Sequence, residues 1–435
     1  MKRHETPNEV AVALARHAPK VIRALLDPAV GTGNLIKPLV KRVISSRSEV
    51  VCVDIDPEVI RYVSKSYSSE LGARAKFINA DFLSWEAPTG FEGFDCIVMN
   101  PPFAAKKSCW QLMEFDGDDG QTISRSTPLE AAFLRKSIDL LSEGGRLLSI
   151  LPCSVVMADS LQWLRDKMLS DGAIRFVHEL PPRTFTNVES RMYLLVFEKG
   201  SSKRTITLLN HDLHKPERIS LPLILGRPAR LDFGFVSARL KLSELQKQLN
   251  LQWAPLSDVA DVIRGEIDSP TGPRCAIHST DFDNGFWHAS ERHDYTLGNK
   301  ADRRIRRGDL LMSRVGRTAS RSIGRGVGIV GMACSDCVLI IRPKNYRTSL
   351  KTLFALRFVL WHDWIQPLVE RGTGATYISH LSILQLNVPT NLWKKFPAQF
   401  QKFADAERAC NSKNASDAIG AIVVRMQKLK TVETE

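Results

Sequence analysis

"VVCVDIDPEVIRYVSKS", residues 50–66, holds two different periods in one short run. Its first half is apolar and rich in β-branched valine, ending on acids; its second half follows a helical pattern. A strand feeding directly into a helix is half of a βαβ unit. The same alternation recurs on both sides: "ALLD" (24–27) before "NLIKPLVKRVI" (34–44), then "FDCIVMN" (94–100) and "GRLLSILP" (145–152). The first two hundred residues therefore predict an α/β domain with a mixed, mainly parallel sheet covered by helices. Thr6-Pro7-Asn8-Glu9 and Thr127-Pro128-Leu129-Glu130 both read as capping boxes with proline at the first helical position, and Glu143-Gly144-Gly145 as the close of the second helix.

From about residue 178 the texture shifts to shorter β-like runs, "RMYLLVFEK" (191–199) and "RTITLLN" (204–210), followed by a polar, proline-bearing passage near 211–230. Short strands and turns dominate from about 250 to 390. The run from Phe396 to Lys430 reads as helical, with a polar break around Asn411 to Ser416. The expected domains are 1–235, 236–390 as a second, mixed α/β domain, and a helical segment over 391–435.

The 435 residues, 43% apolar and 25% charged, are ordinary globular composition with room for two domains. No stretch approaches the roughly 20 apolar residues that span a bilayer, and "MKRHETPNEV" lacks a signal-peptide core, so a cytoplasmic protein is expected. The eight cysteines are scattered, with Cys52 and Cys96 in apolar runs, as buried reduced thiols would be. Cys334-Ser335-Asp336-Cys337 is the only CxxC, and without a second pair or a nearby His pair it reads as two ordinary cysteines rather than a metal site. His278, His288 and His293 lack ligand spacing as well and read as loop or surface residues. Trp361 and Trp364, at an i, i+3 interval, read as core packing of a helix.

Net charge is +13, and it is unevenly placed. Residues 1–200 hold 25 basic and 25 acidic side chains; residues 201–435 hold 35 and 22. Within 301–350 there are 11 basic and 3 acidic, including "RRIRR" (303–307) and "SRVGRTASRSIGRG" (313–326). A neutral module joined to a basic one is the pattern of a catalytic unit tethered to a polyanion-binding unit.

Three strand ends carry acids. "LLDPAVGTGNL" puts Asp27 before a glycine turn at Gly31 and Gly33; Ile36 replaces the third glycine of a dinucleotide fingerprint, and no GK[ST] follows for a phosphate loop. Asp54 ends the next strand, where an acid can accept from ribose hydroxyls, and Asp81 with Phe82 ends a third, where an adenine ring could be held. "DCIVMNPPFAAKK" (95–107) then stops a strand on Asn100-Pro101-Pro102-Phe103. Proline lacks an N–H, so the chain must leave the sheet there, but this does not explain the flanking amide and aromatic.

In order and spacing, "DPAVGTGNL", "VCVDIDP", "NADF" and "NPPF" resemble the S-adenosylmethionine-dependent amino-methyltransferases, and more narrowly the gamma-class N6-adenine DNA methyltransferases, over residues 1 to about 200. The resemblance implies a Rossmann-like domain and places Thr6 near the methionine moiety. Asp27, Ala29, Gly31 and Gly33 fall in the cofactor loop, Asp54 with Ile55 at the ribose, Asp81 with Phe82 at the adenine, and Phe133 as an aromatic beside the cofactor. Asn100, also next to the cofactor, and the Pro101 carbonyl would accept the two N–H hydrogens of the target amine, with Pro102 shaping the turn. Phe103 and Phe185 would stack on a base rotated out of the duplex. No metal is implied.

"RRGDLLMSRVGRT" (306–318) and "RGTGATYISHLSILQLNVP" (371–389) resemble the target recognition domains of type I restriction specificity subunits. That makes Arg303, Arg304, Arg306, Arg307, Arg314, Arg317 and Arg321 candidate DNA contacts. The expectation is a monomeric or homodimeric site-specific DNA adenine methyltransferase of a restriction-modification system, acting on double-stranded DNA, with any restriction endonuclease on a separate chain. The alternatives are an RNA or protein-glutamine amino-methyltransferase and a catalytically inactive DNA-binding homologue.

Overall fold

The computed structural model describes residues 5–43, 48–88, 90–103, 110–116, 122–186, 188, 190–202, 205–212, 216–222, 230–265, 276–289, 303–316, 318–372 and 376–432. The chain divides into two compact units, Met1–Val236 and Ser237–Glu435.

In the first unit a helix, α1 (Asn8–Ala15), precedes β1 (Ala24–Asp27), β2 (Glu49–Asp54), α2 (Pro57–Leu71), β3 (Ala75–Asn79) and β4 (Phe94–Met99). A hairpin of β5 (Gln111–Asp116) and β6 (Thr122–Thr127) leads into α3 (Leu129–Asp139) and β7 (Leu141–Pro152). Next come α4 (Cys153–Met157), α5 (Gln162–Asp171), β8 (Gly172–Glu179), β9 (Met192–Lys199), β10 (Thr205–Leu209) and β11 (Arg218–Pro222); α6 (Phe233–Leu249) contains the division between units.

Nine strands form one sheet in the order β11-β10-β8-β9-β7-β4-β1-β2-β3. β3, β2, β1, β4 and β7 are parallel neighbours, and β9 runs antiparallel to both β7 and β8. The mixed, mainly parallel sheet read from the sequence is the sheet observed. Its central strands are apolar on both faces because both faces are covered there. Leu25, Val50, Cys52, Cys96 and Val98 point into one core with α1 and α2 residues such as Leu14 and Val63. Their neighbours Leu26, Val51, Val53, Ile97 and Met99 point into a second core with Leu134 and Leu164. The period of two along each strand sorts consecutive residues between the two cores.

Several local expectations are corrected. Residues 34–43 form turns and a short 3₁₀ segment (Val40–Arg42) instead of a regular helix; Pro38 removes a donor from the middle of the run. Neither Thr-Pro pair makes a capping box: α1 and α3 begin after Pro7 and Pro128 with no side-chain cap. α3 ends at Asp139, and Glu143 to Gly145 belong to β7, where a Cβ on Gly145 would stand 2.7 Å from the Phe94 carbonyl oxygen.

The second unit is built on a six-stranded sheet in the order Ala260–Arg264, Val338–Pro343, Leu310–Ser313, Ile323–Val327, Phe286–His288, Phe282–Asp283. Trp287 is fully buried there, and its Nε1 donates to the Leu311 carbonyl at 2.9 Å. The helical segment expected as a separate piece packs into this unit. Phe403, on the helix Pro397–Arg408, lies 5.1 Å from Phe354 on the helix Ser349–Leu360, ring centre to ring centre. Glu407, fully buried, pairs with Arg357 at 2.7 Å and Arg325 at 3.1 Å. The break before the last helix, Ser412–Val432, falls at residues 409–411, with Cys410 in the left-handed region at φ 52°. Trp361 lies against Gly420 of the last helix but is 41% exposed, so it packs on a neighbour at the surface and not in the core, whereas Trp364 is half-buried and stacks on His362.

Candidate active site

The sheet order puts β1 between β4 and β2, with β3 beyond. The carboxyl ends of these four parallel strands therefore bring together Asp27 and the glycine turn, Asp54, Asp81, and Asn100-Pro101-Pro102-Phe103. In open α/β sheets, ligands bind along this edge, at the point where strand order reverses.

Asp27 is 1% exposed, and its Oδ1 accepts the Ala29 N–H at 3.2 Å while Oδ2 takes no hydrogen bond. Burial pushes its carboxyl up to about 8; the Ala29 N–H opposes this, and nearby Asp54 adds to it. The turn that follows depends on glycine: Gly31 and Gly33 have φ of +51° and +80°. A Cβ on Gly31 would approach nothing nearer than the Ala29 oxygen at 4.0 Å, so open space lies above that position. Gly33 is instead pressed against Tyr67, whose hydroxyl donates to the Gly33 carbonyl at 3.1 Å.

Asp54 ties the loop to β2. Its Oδ2 accepts from Gly31 N at 3.1 Å and its Oδ1 from Asp56 N at 3.0 Å. A carboxylate oxygen can accept more than one hydrogen bond, so both retain capacity for hydroxyl donors. Ile55, directly after the strand, is 72% exposed, an apolar side chain presented to solvent at the ligand edge. Asp81 is exposed and its Oδ1 accepts from Leu83 N at 3.0 Å.

The aromatic candidates divide by burial. Phe82 is 2% exposed and tilts against Phe133, itself 6% exposed, with ring centres 5.0 Å apart. Lys136 on α3 stands 5.2 Å over the Phe82 ring, and its ammonium donates to the Leu83 and Trp85 carbonyls, pinning the loop after β3. Phe185 is 3% exposed within the core on the α1 side of the sheet, so in this arrangement it offers no ring face to a ligand. Phe103 is half-buried at the edge of the same core.

Asn100, half-buried, donates from Nδ2 to Thr6 Oγ1 at 3.0 Å, which leaves the amide oxygen as its accepting end. Thr6 is 6% exposed, and its carbonyl accepts from Asn34 Nδ2 at 2.8 Å. The sequence reading missed Asn34, Glu5 and Lys136, since a polar residue in a turn or helix carries no periodic signal. Glu130, read from the sequence only as part of a cap, has its Oε1 accepting from Ser154 Oγ at 2.9 Å, and burial raises its carboxyl.

In the second unit, Arg306, Arg307 and Arg321 are exposed, and Arg321 pairs with Asp363. Arg303 and Arg304 are half-buried, and Arg317 lies outside the described residues. Arg314 turns inward, its Nε donating to the Asp336 carbonyl at 2.5 Å and its Nη2 lying 3.3 Å from the Asp336 carboxylate. Cys334 of the CxxC is buried, and burial pushes its thiol up. His278 takes part in the cap of a short turn, His288 is exposed, and His293 lies outside the described residues. Among the described residues no cluster of His, Cys, Asp or Glu is arranged to hold a metal, and no helix is long and apolar enough to cross a membrane.

The edge built by β2, β3 and β4 falls within one recognisable stretch. Residues 48–185 match the Eco57I restriction-modification methylase family. The matched stretch holds Asp54, Asp81, Asn100 to Phe103, Phe133 and Phe185, whereas the glycine turn and Thr6 precede it. The type II methyltransferase M.TthHB8I of Thermus thermophilus is 32% identical over 181 residues, covering 39% of each chain. The Caenorhabditis elegans rRNA N(6)-adenosine-methyltransferase metl-5 is 28% identical over 120 residues, 26% of this chain and 55% of that one. The type IIG restriction endonuclease BpuSI aligns in structure over 95% of this chain and 65% of its own, at 13% identity and a TM-score of 0.48. The chain spans less than half the length of the type II methyltransferases it matches.

Proposed function

We propose that this chain is a site-specific DNA adenine methyltransferase, moving a methyl group from S-adenosylmethionine to N6 of an adenine rotated out of duplex DNA. The modification activity of a restriction-modification system is its setting. One observation carries the reading: the Asn100 amide lies just past the end of β4, beside the β1 glycine turn, with its nitrogen donating to Thr6 Oγ1 at 3.0 Å.

The cofactor edge fits its ligand. A buried carboxyl at Asp27, open space above Gly31, the Asp54 carboxylate and the exposed Ile55 offer polar and apolar contacts to an amino acid, a ribose and a base in turn. When bound, S-adenosylmethionine supplies a methyl group already activated as an electrophile. What the chain must improve is the nucleophile, because the adenine amino lone pair is delocalised into its ring. The Asn100 side-chain oxygen and the Pro101 carbonyl accept the two amino hydrogens, which concentrates the lone pair on nitrogen and aims it. Positioning and fixed dipoles supply the rate, and Phe103 covers the base. The basic second unit supplies phosphate contacts, with any restriction endonuclease on a separate chain.

RNA is the second reading, favoured by the similarity to the rRNA N(6)-adenosine-methyltransferase. Incorporation of tritiated methyl from the cofactor into unmethylated duplex DNA and into structured RNA separates the two. Label in DNA from the wild type, lost in Asn100→Ala with cofactor binding largely retained, is the expected result. Phe103→Ala is expected chiefly to weaken capture of the base. No label in DNA from the wild type would refute the reading.

A further inference from the structure

We infer that Thr6 and Asn34 form a positioning strap that sets the Asn100 amide from the glycine turn, an inference that rests on Asn100 being the acceptor of the target amine. Thr6 makes two bonds from one buried position. Its Oγ1 accepts from Asn100 Nδ2 at 3.0 Å, and its carbonyl accepts from Asn34 Nδ2 at 2.8 Å. Asn34 Nδ2 also reaches Glu5 Oε1 at 3.2 Å, and Thr32 Oγ1 reaches the same oxygen at 3.4 Å. Thr32 and Asn34 flank Gly33, so the segment Glu5-Thr6 is sewn to both sides of the turn that faces the cofactor.

The use of the Thr6 hydroxyl is specific to this place. A Thr-Pro pair at a helix start would ordinarily cap the helix, yet α1 has no side-chain cap and the hydroxyl serves Asn100 instead. Thr127, in the same local sequence before an equally uncapped α3, donates locally to the Arg125 carbonyl at 3.2 Å. The local sequence is thus shared, but the long-range bond belongs to Thr6.

The chemistry gives the strap a purpose. An asparagine amide has an accepting end and a donating end, and half a turn about its last bond exchanges them. A donor presented to the target amine would oppose the transfer. The bond to Thr6 Oγ1 holds the amide in place, and the Asn34 bond means that ordering the glycine turn also orders Thr6. Cofactor binding and the setting of Asn100 are thereby linked through bonds of the chain itself.

Thr6→Val removes the hydroxyl at nearly constant volume, and Thr6→Ser keeps it. With duplex DNA as substrate and saturating cofactor, Thr6→Val is expected to lower kcat about tenfold or more while the KM for DNA stays within about threefold, since misplacing a reacting group costs rate before affinity. Thr6→Ser should recover most of the rate, and Asn34→Ala should reproduce part of the loss. Wild-type kcat in Thr6→Val, or equal impairment in Thr6→Ser, would overturn the proposal. A second measurement needs no turnover. In protein labelled with ¹⁵N-asparagine, the side-chain NH₂ signals of Asn100, identified by their disappearance in Asn100→Ala, should shift in Thr6→Val and return in Thr6→Ser. Unmoved signals would overturn the strap. The shift in Thr6→Val, found together with a wild type that methylates no DNA, would leave the strap standing and remove the DNA reading.

Discussion

Asp27 carries a carboxyl group in a place where a charge is costly, and this gives the first prediction its sign. Its ionisation is moved by burial from the ordinary carboxylate range, 3.8, up to about 8 in the folded chain. The folded state therefore binds a proton that the unfolded state has released between those values. Stability is lost as pH rises through that window, the reverse of a salt-bridged aspartate. Asp27→Asn removes the titration. Relative to that variant, the wild type should lose up to about 1.4 kcal/mol of stability per pH unit between pH 5 and 8, read by denaturant unfolding at several pH values. A constant difference across the window would show that Asp27 is ionised throughout. The sequence places Asp27 at the ligand edge but says nothing of its protonation, because burial is set by residues distant along the chain. The same holds for Phe82, Phe133 and Phe185: aromatic identity is legible, but whether a ring faces a ligand or a core is decided by packing.

Among the elements, the turn after β1 shows how two glycines in one short sequence do different work. Gly31→Ala meets only the cost of a positive φ, about 1–2 kcal/mol, because nothing approaches the added Cβ closely. Gly33→Ala meets that cost and also places its Cβ 2.6 Å from Tyr67 Cε2, so either the ring or the turn must move. Gly33→Ala should be the more destabilised of the two by thermal melting, and Tyr67→Ala in its background should recover part of the difference. In the absence of cofactor, equal melting temperatures would contradict the contact. Strands and their order of appearance were legible here because apolar runs bounded by acids and glycines leave few alternatives. The passage after the turn was not, since Ile36, Leu39 and Val40 satisfy a helical pattern while Pro38 takes one donor out of its middle. Capping boxes failed for a related reason: a hydroxyl near a helix start is available to any acceptor or donor the fold brings near, and tertiary contact decides.

Over the whole molecule, charge is the property most visible in sequence and least informative about individual side chains. The first unit follows from periodicity, whereas the second, with strands of two to six residues among the described ones, offers little period to count. Its arginines read alike in sequence, yet the structure separates them by surroundings. Arg306 and Arg307 are exposed, but Arg314 is spent on Asp336, which also pairs with Arg264 at 2.9 Å. A basic surface that binds DNA through phosphates must show a linear dependence of log affinity on log salt. The double change Arg306→Ala and Arg307→Ala should reduce that slope by up to about 2 while leaving unfolding unchanged, about 0.9 for each phosphate contact removed. Arg314→Ala should behave oppositely: little change in slope, and a loss of roughly 1.5–3 kcal/mol of stability from a charged hydrogen bond broken in a partly buried place. Titrations of the full chain with duplex DNA between low and physiological salt, beside denaturant unfolding of the same variants, decide between the two roles. If Arg314→Ala lowers the slope as much as the exposed pair does, its inward geometry is not what the DNA-bound chain uses.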